Sequence, residues 1–262
     1  MSLISINGKI SSGKDTVGRI IQYLTSEYKD KYDFIEWRNR VENYGSKTYS
    51  PFEIKKYAGK LKTIASLLTG VPVEMFEDQE FKKLEMEEQW SYIKEIPLIG
   101  FNNNIIGSDS ELIQMTYREF LQKLGTEAMR DGLHTNVWVN ALFSDYVPVV
   151  KEWDELGNDT LVEYPNWIIT DMRFPNEMDA VKDRKGITIR VNRPTFREVE
   201  SSLGKIGIIN QIEVDSLLFG RQEHPSETAL DGATFDYEIN NVGSIDDLIE
   251  KVKEILIKEN II

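Results

Sequence analysis

The chain has 262 residues, of which 40% are hydrophobic, and it carries a formal net charge of −13 at pH 7. This acidic balance repels the phosphate backbone, so stable binding of nucleic acid is not expected. The absence of cysteine excludes disulfides and thiolate metal sites. We find no apolar run of about 18 residues and no leader pattern, so we expect no membrane partner and a cytoplasmic location.

The start of the chain predicts a strand, a loop and a helix. LISIN at Leu3–Asn7 is a short apolar run that predicts a strand, and apolar residues return at helical spacing from Val17 to Leu24. Between them, GKISSGKDT at Gly8–Thr16 holds two glycines and two lysines. This composition suits neither a strand nor a buried helix.

Two longer helices are predicted in the next hundred residues. Ile54–Leu68 carries apolar residues on one helical face and is followed by a capping glycine, and Thr116–Arg130 opens with the spacing of a capping box. Between them, Glu74–Glu88 predicts a charged surface helix. Pro97–Ser110 predicts a loop or a short hairpin.

The second half of the chain alternates strands with helices. Strands are predicted at Trp167–Thr170, Ile187–Val191 and Tyr237–Asn240, and helices at Pro175–Arg184 and Ser244–Lys258. This alternation predicts an α/β fold with a parallel sheet flanked by helices.

The loop after the first strand matches a phosphate-binding loop except at its last position, where Asp15 replaces Ser or Thr. Its glycines let backbone N–H groups turn around a phosphate chain, the helix N-terminus adds its positive end, and Lys14 bridges the terminal phosphates. Thr16 offers a hydroxyl to phosphate or magnesium. The candidate nucleotide-binding residues are Gly8, Lys9, Ser11, Ser12, Gly13, Lys14, Asp15 and Thr16. The alternative is a Gly/Ser turn with a solvated lysine.

Four separated blocks of the chain carry a family resemblance. They are GKISSGKDT at Gly8–Thr16, LQKLGTEAMRDGLHTNVWV at Leu121–Val139, TDMRFPNE at Thr170–Glu177 and HPSETALD at His224–Asp231. Together they resemble the phage-type deoxynucleoside monophosphate kinases, which are P-loop kinases. The resemblance implies a P-loop kinase fold, ATP as phosphoryl donor, magnesium, and a deoxynucleoside monophosphate as acceptor.

Asp171 follows a predicted strand, where P-loop proteins carry a carboxylate that holds magnesium or orients a nucleophile. Arg173 points the same way, and Pro175 starts a helix at once. We interpret Lys14, Asp171 and Arg173 as catalytic, Thr16 and Asp171 as metal ligands, and Arg173 also as a ligand of the acceptor phosphate. The alternative is a surface salt bridge at a strand end.

Arg118 and Gln122 share one helical face at positions i and i+4, and Arg130 lies further along. Polar groups on one face fit a base edge and a phosphate, and the family block favours substrate binding by these three residues. The alternative is a solvated face on which Arg118 pairs with an adjacent carboxylate. Trp138 either stacks on the substrate base or fills the core.

Arginines follow the strand at Ile187–Val191, and a long polar segment that ends in HPSE comes next. This arrangement is typical of a lid, here at about 193–225, that closes over phosphates and excludes water. Arg193, Ser226 and Glu227 are the candidate substrate ligands of this region. The alternative is that the arginines pair with nearby glutamates.

We interpret residues 1–262 as a single P-loop kinase domain with a helical substrate-side insertion at about 37–115. The resemblance implies ATP-dependent phosphorylation of deoxynucleoside monophosphates to diphosphates, in the host cytoplasm if the gene is carried by a phage. A kinase of another phosphorylated small molecule and an ATP-gated binding protein are the alternatives. The sequence leaves a homodimer, the preferred base and the preferred sugar open.

Overall fold

The computed structural model describes residues 2–45, 47–99, 105–153, 159–193 and 228–262. The chain divides into two compact units. The sheet unit comprises Met1–Tyr57 and Leu142–Ile262, and the inserted unit comprises Ala58–Ala141. The predicted insertion at about 37–115 overlaps the inserted unit, and the single-domain interpretation stays a prediction.

The helices and strands are numbered here in chain order. The strands are β1 (Leu3–Asn7), β2 (Phe52–Lys55), β3 (Tyr92–Ile99), β4 (Ile105–Ile113), β5 (Val149–Trp153), β6 (Asp159–Glu163), β7 (Asn166–Ile169), β8 (Ile187–Asn192) and β9 (Tyr237–Asn240). The α-helices are α1 (Lys14–Leu24), α2 (Phe34–Tyr44), α3 (Ala58–Thr69), α4 (Tyr117–Gln122), α5 (Val137–Phe143), α6 (Pro175–Lys182) and α7 (Ile245–Lys258). None of these helices combines the length and apolar character needed to cross a membrane.

Five parallel strands form the main sheet, in the order β2-β7-β1-β8-β9. β1 lies at the centre, with Ile4 opposite both Ile168 of β7 and Ile187 of β8. Residues 3–6 are all buried, and successive strand residues point to opposite faces, so both faces of β1 are covered. The predicted α/β fold with a parallel sheet flanked by helices is confirmed. The strands β5 and β6 form a separate hairpin.

Helices α1, α2 and α7 share one apolar core with the sheet. Each helix contributes residues at helical spacing, such as Val17 and Ile21 of α1 or Leu248 and Val252 of α7. The α7 helix begins after Ser244, whose hydroxyl accepts a hydrogen bond from the Asp247 N–H at 3.2 Å. The predicted helix at Ser244–Lys258 is therefore confirmed, including its cap.

One predicted helix begins later than predicted, and another is wrong. The segment Phe52–Lys55 is a strand because it pairs along β7, and helix α3 begins only at Ala58. The predicted charged helix at Glu74–Glu88 is a series of short 3₁₀ turns. Phe76 is fully buried and its ring packs edge-on against Phe81. Residues five apart fall on different faces of an α-helix, so the break lets both rings meet.

The inserted unit has its own small core, formed by Ala65, Phe76, Met86 and Phe120. Thr116 caps α4, as predicted, because its hydroxyl accepts from the Glu119 N–H at 3.2 Å. The helix then continues as a π-helix over Lys123–Asp131 rather than as an α-helix. The strands β3 and β4 pair as an antiparallel hairpin, which confirms the hairpin alternative at Pro97–Ser110.

Gly18 brings α1 close to β7. A Cβ built on Gly18 would lie 2.7 Å from the Cγ2 atom of the buried Thr170, whereas one built on Gly59 in α3 would meet nothing within 4 Å. Gly59→Ala is expected to stabilise the protein by about 0.5–1 kcal/mol. Gly18→Ala is expected to lower the free energy of unfolding by about 1–3 kcal/mol relative to that control, because its methyl group has no room beside Thr170. Urea unfolding measures both, and equal effects would contradict the close approach.

Candidate active site

The candidate site begins in the loop between β1 and α1. Gly13 has a left-handed backbone with φ of +99°, and the Ser12 N–H donates to the Lys9 carbonyl at 3.1 Å. Helix α1 then starts at Lys14. The first N–H groups of a helix lack partners within the helix and carry its positive end, so the loop presents donors and positive potential at one place.

Residues from the β8 and β9 side hold the loop in place. Asn241, directly after β9, donates its amide to the Ser12 carbonyl at 2.9 Å. Gly8 packs against Ser12 and the carbonyl of Val191 in β8. Asn241 was not selected from the sequence, although it lies in the INNVGS segment that follows the last strand.

The two lysines of the loop each have an oxygen neighbour: the Lys9 carbonyl for Lys14, and the Asp231 carboxylate for Lys9. The Lys14 amine is 3.4 Å from the Lys9 carbonyl, to which it donates. The Lys9 amine is 3.9 Å from Asp231, which also accepts from Arg190 of β8 at 2.7 Å. Arg190, whose side chain is only 14% exposed, is thus packed into the unit.

Asp15 points to the neighbouring strand ends. Its Oδ1 accepts from the Thr170 hydroxyl at 2.9 Å and lies 3.5 Å from the Lys56 amine. The carboxylate does not cap α1, because the N-cap is Gly13 and no side chain caps it. The positive charge of Lys56 offsets an anion that otherwise stands next to a phosphate-binding loop.

Asp171 and Arg173 lie in the turn between β7 and α6. One carboxylate oxygen of Asp171 accepts from the Tyr57 N–H at 2.8 Å. The buried carboxylate of Glu177 accepts from the N–H groups of Arg173 at 2.7 Å and Phe174 at 3.1 Å. Glu177 therefore fixes the turn that carries both candidate catalytic residues. Its place three residues beyond the N-cap is the sequence signal that predicts such a role.

Tyr57 supports this turn through its backbone and its side chain. Its buried hydroxyl donates to the Glu177 carbonyl at 3.1 Å. Burial raises the pKa of Tyr57 well above its ordinary value, and the charges of Glu177 and Asp171 act in the same direction. The hydroxyl consequently stays protonated and remains a donor.

The resemblance implies magnesium, and the oxygen donors near the loop fit this ion. Thr16 is half-buried in the first turn of α1, and Asp171 lies two residues after the end of the adjacent strand β7. Within the described ranges, no three acidic or histidine residues cluster to form a complete metal site. Magnesium usually keeps several waters and takes one or two protein ligands together with substrate phosphates. A pair such as Thr16 and Asp171 matches that requirement.

The predicted substrate ligands of the inserted unit lie on α4, on the π-helix that follows it and on α5. Arg118 donates to Gln79 at 3.0 Å rather than pairing with an adjacent carboxylate, and Gln122 is exposed. Arg130 is buried near the end of the π-helix. Trp138 is also buried and donates its indole N–H to the Gly125 carbonyl at 2.8 Å, which agrees with the core alternative. Substrate binding by this group stays a prediction.

Arg193 is exposed at the end of the described segment 159–193. Ser226, Glu227 and the rest of the predicted lid at about 193–225 lie outside the described residues.

A five-stranded parallel sheet flanked by helices, with a glycine and lysine loop between its central strand and the next helix, is consistent with the α/β fold of P-loop kinases. The chain is 22% identical over 270 residues to the deoxynucleoside-5′-monophosphate kinase of Escherichia phage T5, covering 91% of this chain and 89% of that protein. It is also 30% identical over 95 residues to the "Putative deoxynucleotide monophosphate kinase" of Acanthamoeba polyphaga mimivirus, covering 33% of this chain and 44% of that protein. No family model matches. The two matches confirm the resemblance that the four sequence blocks predicted.

Tyr57→Phe tests whether the Tyr57 hydroxyl stabilises the turn that carries Asp171 and Arg173. Loss of the buried hydrogen bond to Glu177 is expected to lower the free energy of unfolding by about 1 kcal/mol at neutral pH. The raised pKa means that the unfolded tyrosine ionises first, so this advantage of the wild type shrinks above pH about 10. Urea unfolding against pH measures both effects. Tyr44→Phe is the control, because Tyr44 is 81% exposed, and an equal loss there would contradict the assignment.

Proposed function

We propose that this protein is a kinase that transfers the γ-phosphoryl group of ATP to a deoxynucleoside 5′-monophosphate. The observation that carries the proposal is the arrangement of the loop at residues 8–16 beside the turn that holds Asp171 and Arg173. The T5 relative, whose name states this acceptor class, supports the choice of substrate.

The loop residues bind the phosphates of the donor. Backbone N–H groups of the loop and the first turn of α1 surround the phosphate chain. Lys14 exchanges its long contact with the Lys9 carbonyl for a terminal phosphate oxygen, so its charge neutralises the transferred group. Asn241 keeps the loop in this shape through the Ser12 carbonyl.

The turn after β7 serves the acceptor. Arg173 binds the acceptor phosphate, and Asp171 orients the attacking group. Thr16 and Asp171 would hold magnesium, which would supply positive charge to the phosphates of the donor. Because both reactants are anions, catalysis consists mainly of positioning and charge neutralisation by groups that the fold already holds.

The proposal is tested by coupled measurement of ADP release with ATP against a panel of deoxyribo- and ribonucleoside monophosphates. We expect ADP release that depends on a deoxynucleoside monophosphate. Release at the same slow rate without any acceptor would indicate an ATP-gated binding protein. Release only with another phosphorylated small molecule would change the substrate class.

Lys14→Ala is expected to lower turnover by about 10²- to 10³-fold, because one preorganised cation is lost from the transition state. The thermal unfolding temperature should stay close to that of the wild type, since Lys14 is not a core residue. Lys253→Ala on α7 removes an equally charged, partly exposed lysine far along the sequence and serves as the control. Near-normal turnover of the Lys14 variant would overturn the assignment of the loop.

Arg173→Lys separates the acceptor from the donor. Lysine keeps the charge but loses the planar fork that grips a phosphate at two oxygens. We expect a raised KM for the monophosphate or a lowered kcat, with the KM for ATP little changed. Steady-state kinetics with each substrate varied in turn gives both constants. A raised KM for ATP alone would move Arg173 to the donor side.

A further inference from the structure

A charged cleft of about 260 Å³ lies beside the phosphate-binding loop on the β2 side. It is formed by residues of α1, α2 and the end of β2. Its charged residues are Arg19, Arg38, Lys56, Asp15 and Glu42. Three cations face two carboxylates, so the cleft has a positive balance on a chain whose net charge is −13.

Glu42 forms ion pairs with the two arginines of the cleft. Its Oε1 lies 3.3 Å from the Arg19 Nε, and its Oε2 lies 3.5 Å from the Arg38 Nε. The Arg38 guanidinium also lies over the ring of Phe34, 5.9 Å from its centroid. The Arg38 Nε is buried and has no hydrogen-bond partner among the described residues.

Such a guanidinium suits a phosphate monoester. Two nitrogens of the planar guanidinium match two oxygens of one phosphate. Thr16 and Lys56 line the same cleft and add a hydroxyl and a charge. The volume is below the about 300–1,000 Å³ of sites that enclose drug-sized ligands, so the cleft fits a phosphate and part of a sugar better than a whole nucleotide.

The cleft and Asn241 flank the loop from opposite sides. Ile54 and Lys56 come from the β2 edge of the sheet, whereas Asn241 follows β9 at the other edge. In-line phosphoryl transfer needs the attacking and leaving oxygens on opposite sides of the transferred group. We therefore place the donor nucleoside on the β9 side of the loop and the acceptor on the β2 side.

We infer that this cleft binds the phosphate of the acceptor monophosphate. Arg38 is a second bidentate ligand of this phosphate beside Arg173, and Glu42 is a positioning residue that orients Arg38 and Arg19. The inference rests on the proposed function and assigns acceptor binding to residues that the sequence analysis did not select.

Arg38→Lys tests this assignment, with Arg40→Lys as the matched control. Arg40 lies on the same helix, pairs with Glu36 at 3.0 Å and does not line the cleft. We expect Arg38→Lys to raise the KM for the monophosphate about tenfold or more, because a charge-assisted pair of hydrogen bonds is reduced to a point charge. The KM for ATP should stay within about twofold of the value for Arg40→Lys. The thermal unfolding temperatures of the two variants should agree within about two degrees.

Two outcomes would overturn the inference while the proposed function stands. In the first, the wild type transfers phosphate and Arg38→Lys behaves like Arg40→Lys. In the second, Arg38→Lys raises only the KM for ATP. If the wild type transfers no phosphate, the proposed function fails, and calorimetric titration with the four deoxynucleoside monophosphates tests the cleft directly. Binding that Arg38→Lys weakens and Arg40→Lys does not would support the cleft, whereas unaffected or absent binding would overturn it.

Discussion

The hydrogen bond from Thr170 to Asp15 joins the two halves of the candidate active site. Asp15 stands in the first turn after the phosphate-binding loop, and Thr170 immediately precedes Asp171. This 2.9 Å hydrogen bond connects the start of α1 to the residue that precedes the strand-end carboxylate. The contact itself depends on Gly18, since a larger residue would push α1 away from β7. The arrangement of the candidate site therefore depends on the close packing of α1 against β7, which is the neighbour of β1 in the sheet.

The molecule combines an acidic surface with a few cations that the fold holds near one loop. Lys14 and Arg173 belong to this group, and Lys56 offsets the charge of Asp15. Exposed ion pairs contribute only about 0–1 kcal/mol each, so these contacts add little to stability. Their value lies in orientation, because a guanidinium or an amine that is held in advance loses less entropy when a phosphate arrives. The proposed binding of anionic substrates therefore requires only a local group of cations on a chain whose net charge is negative.

Local features of the sequence were sufficient to predict the main strands and the loop. The run at Leu3–Asn7 and the glycines beside Lys14 carry their signal within a few residues. The supports of the site could not be predicted in this way. Asn241 contacts a residue 229 positions away, and Tyr57 contacts one 114 positions away. The short segment around Ile54 fits helix and strand spacing equally well, and only pairing with β7 decides for a strand.

Asp231 is a weakly held counter-ion of Lys9 in the loop at residues 8–16. It lies 3.9 Å from the Lys9 amine but only 2.7 Å from Arg190, and both the Lys9 and Asp231 side chains are largely exposed to solvent. If the loop binds an anion as proposed, the Lys9 amine exchanges its exposed contact with Asp231 for that anion, and the loss of this contact costs less than about 1 kcal/mol. Asp231 keeps its pairing with Arg190 of β8 in this exchange. The proposed binding therefore does not require the contact between Asp231 and β8 to break.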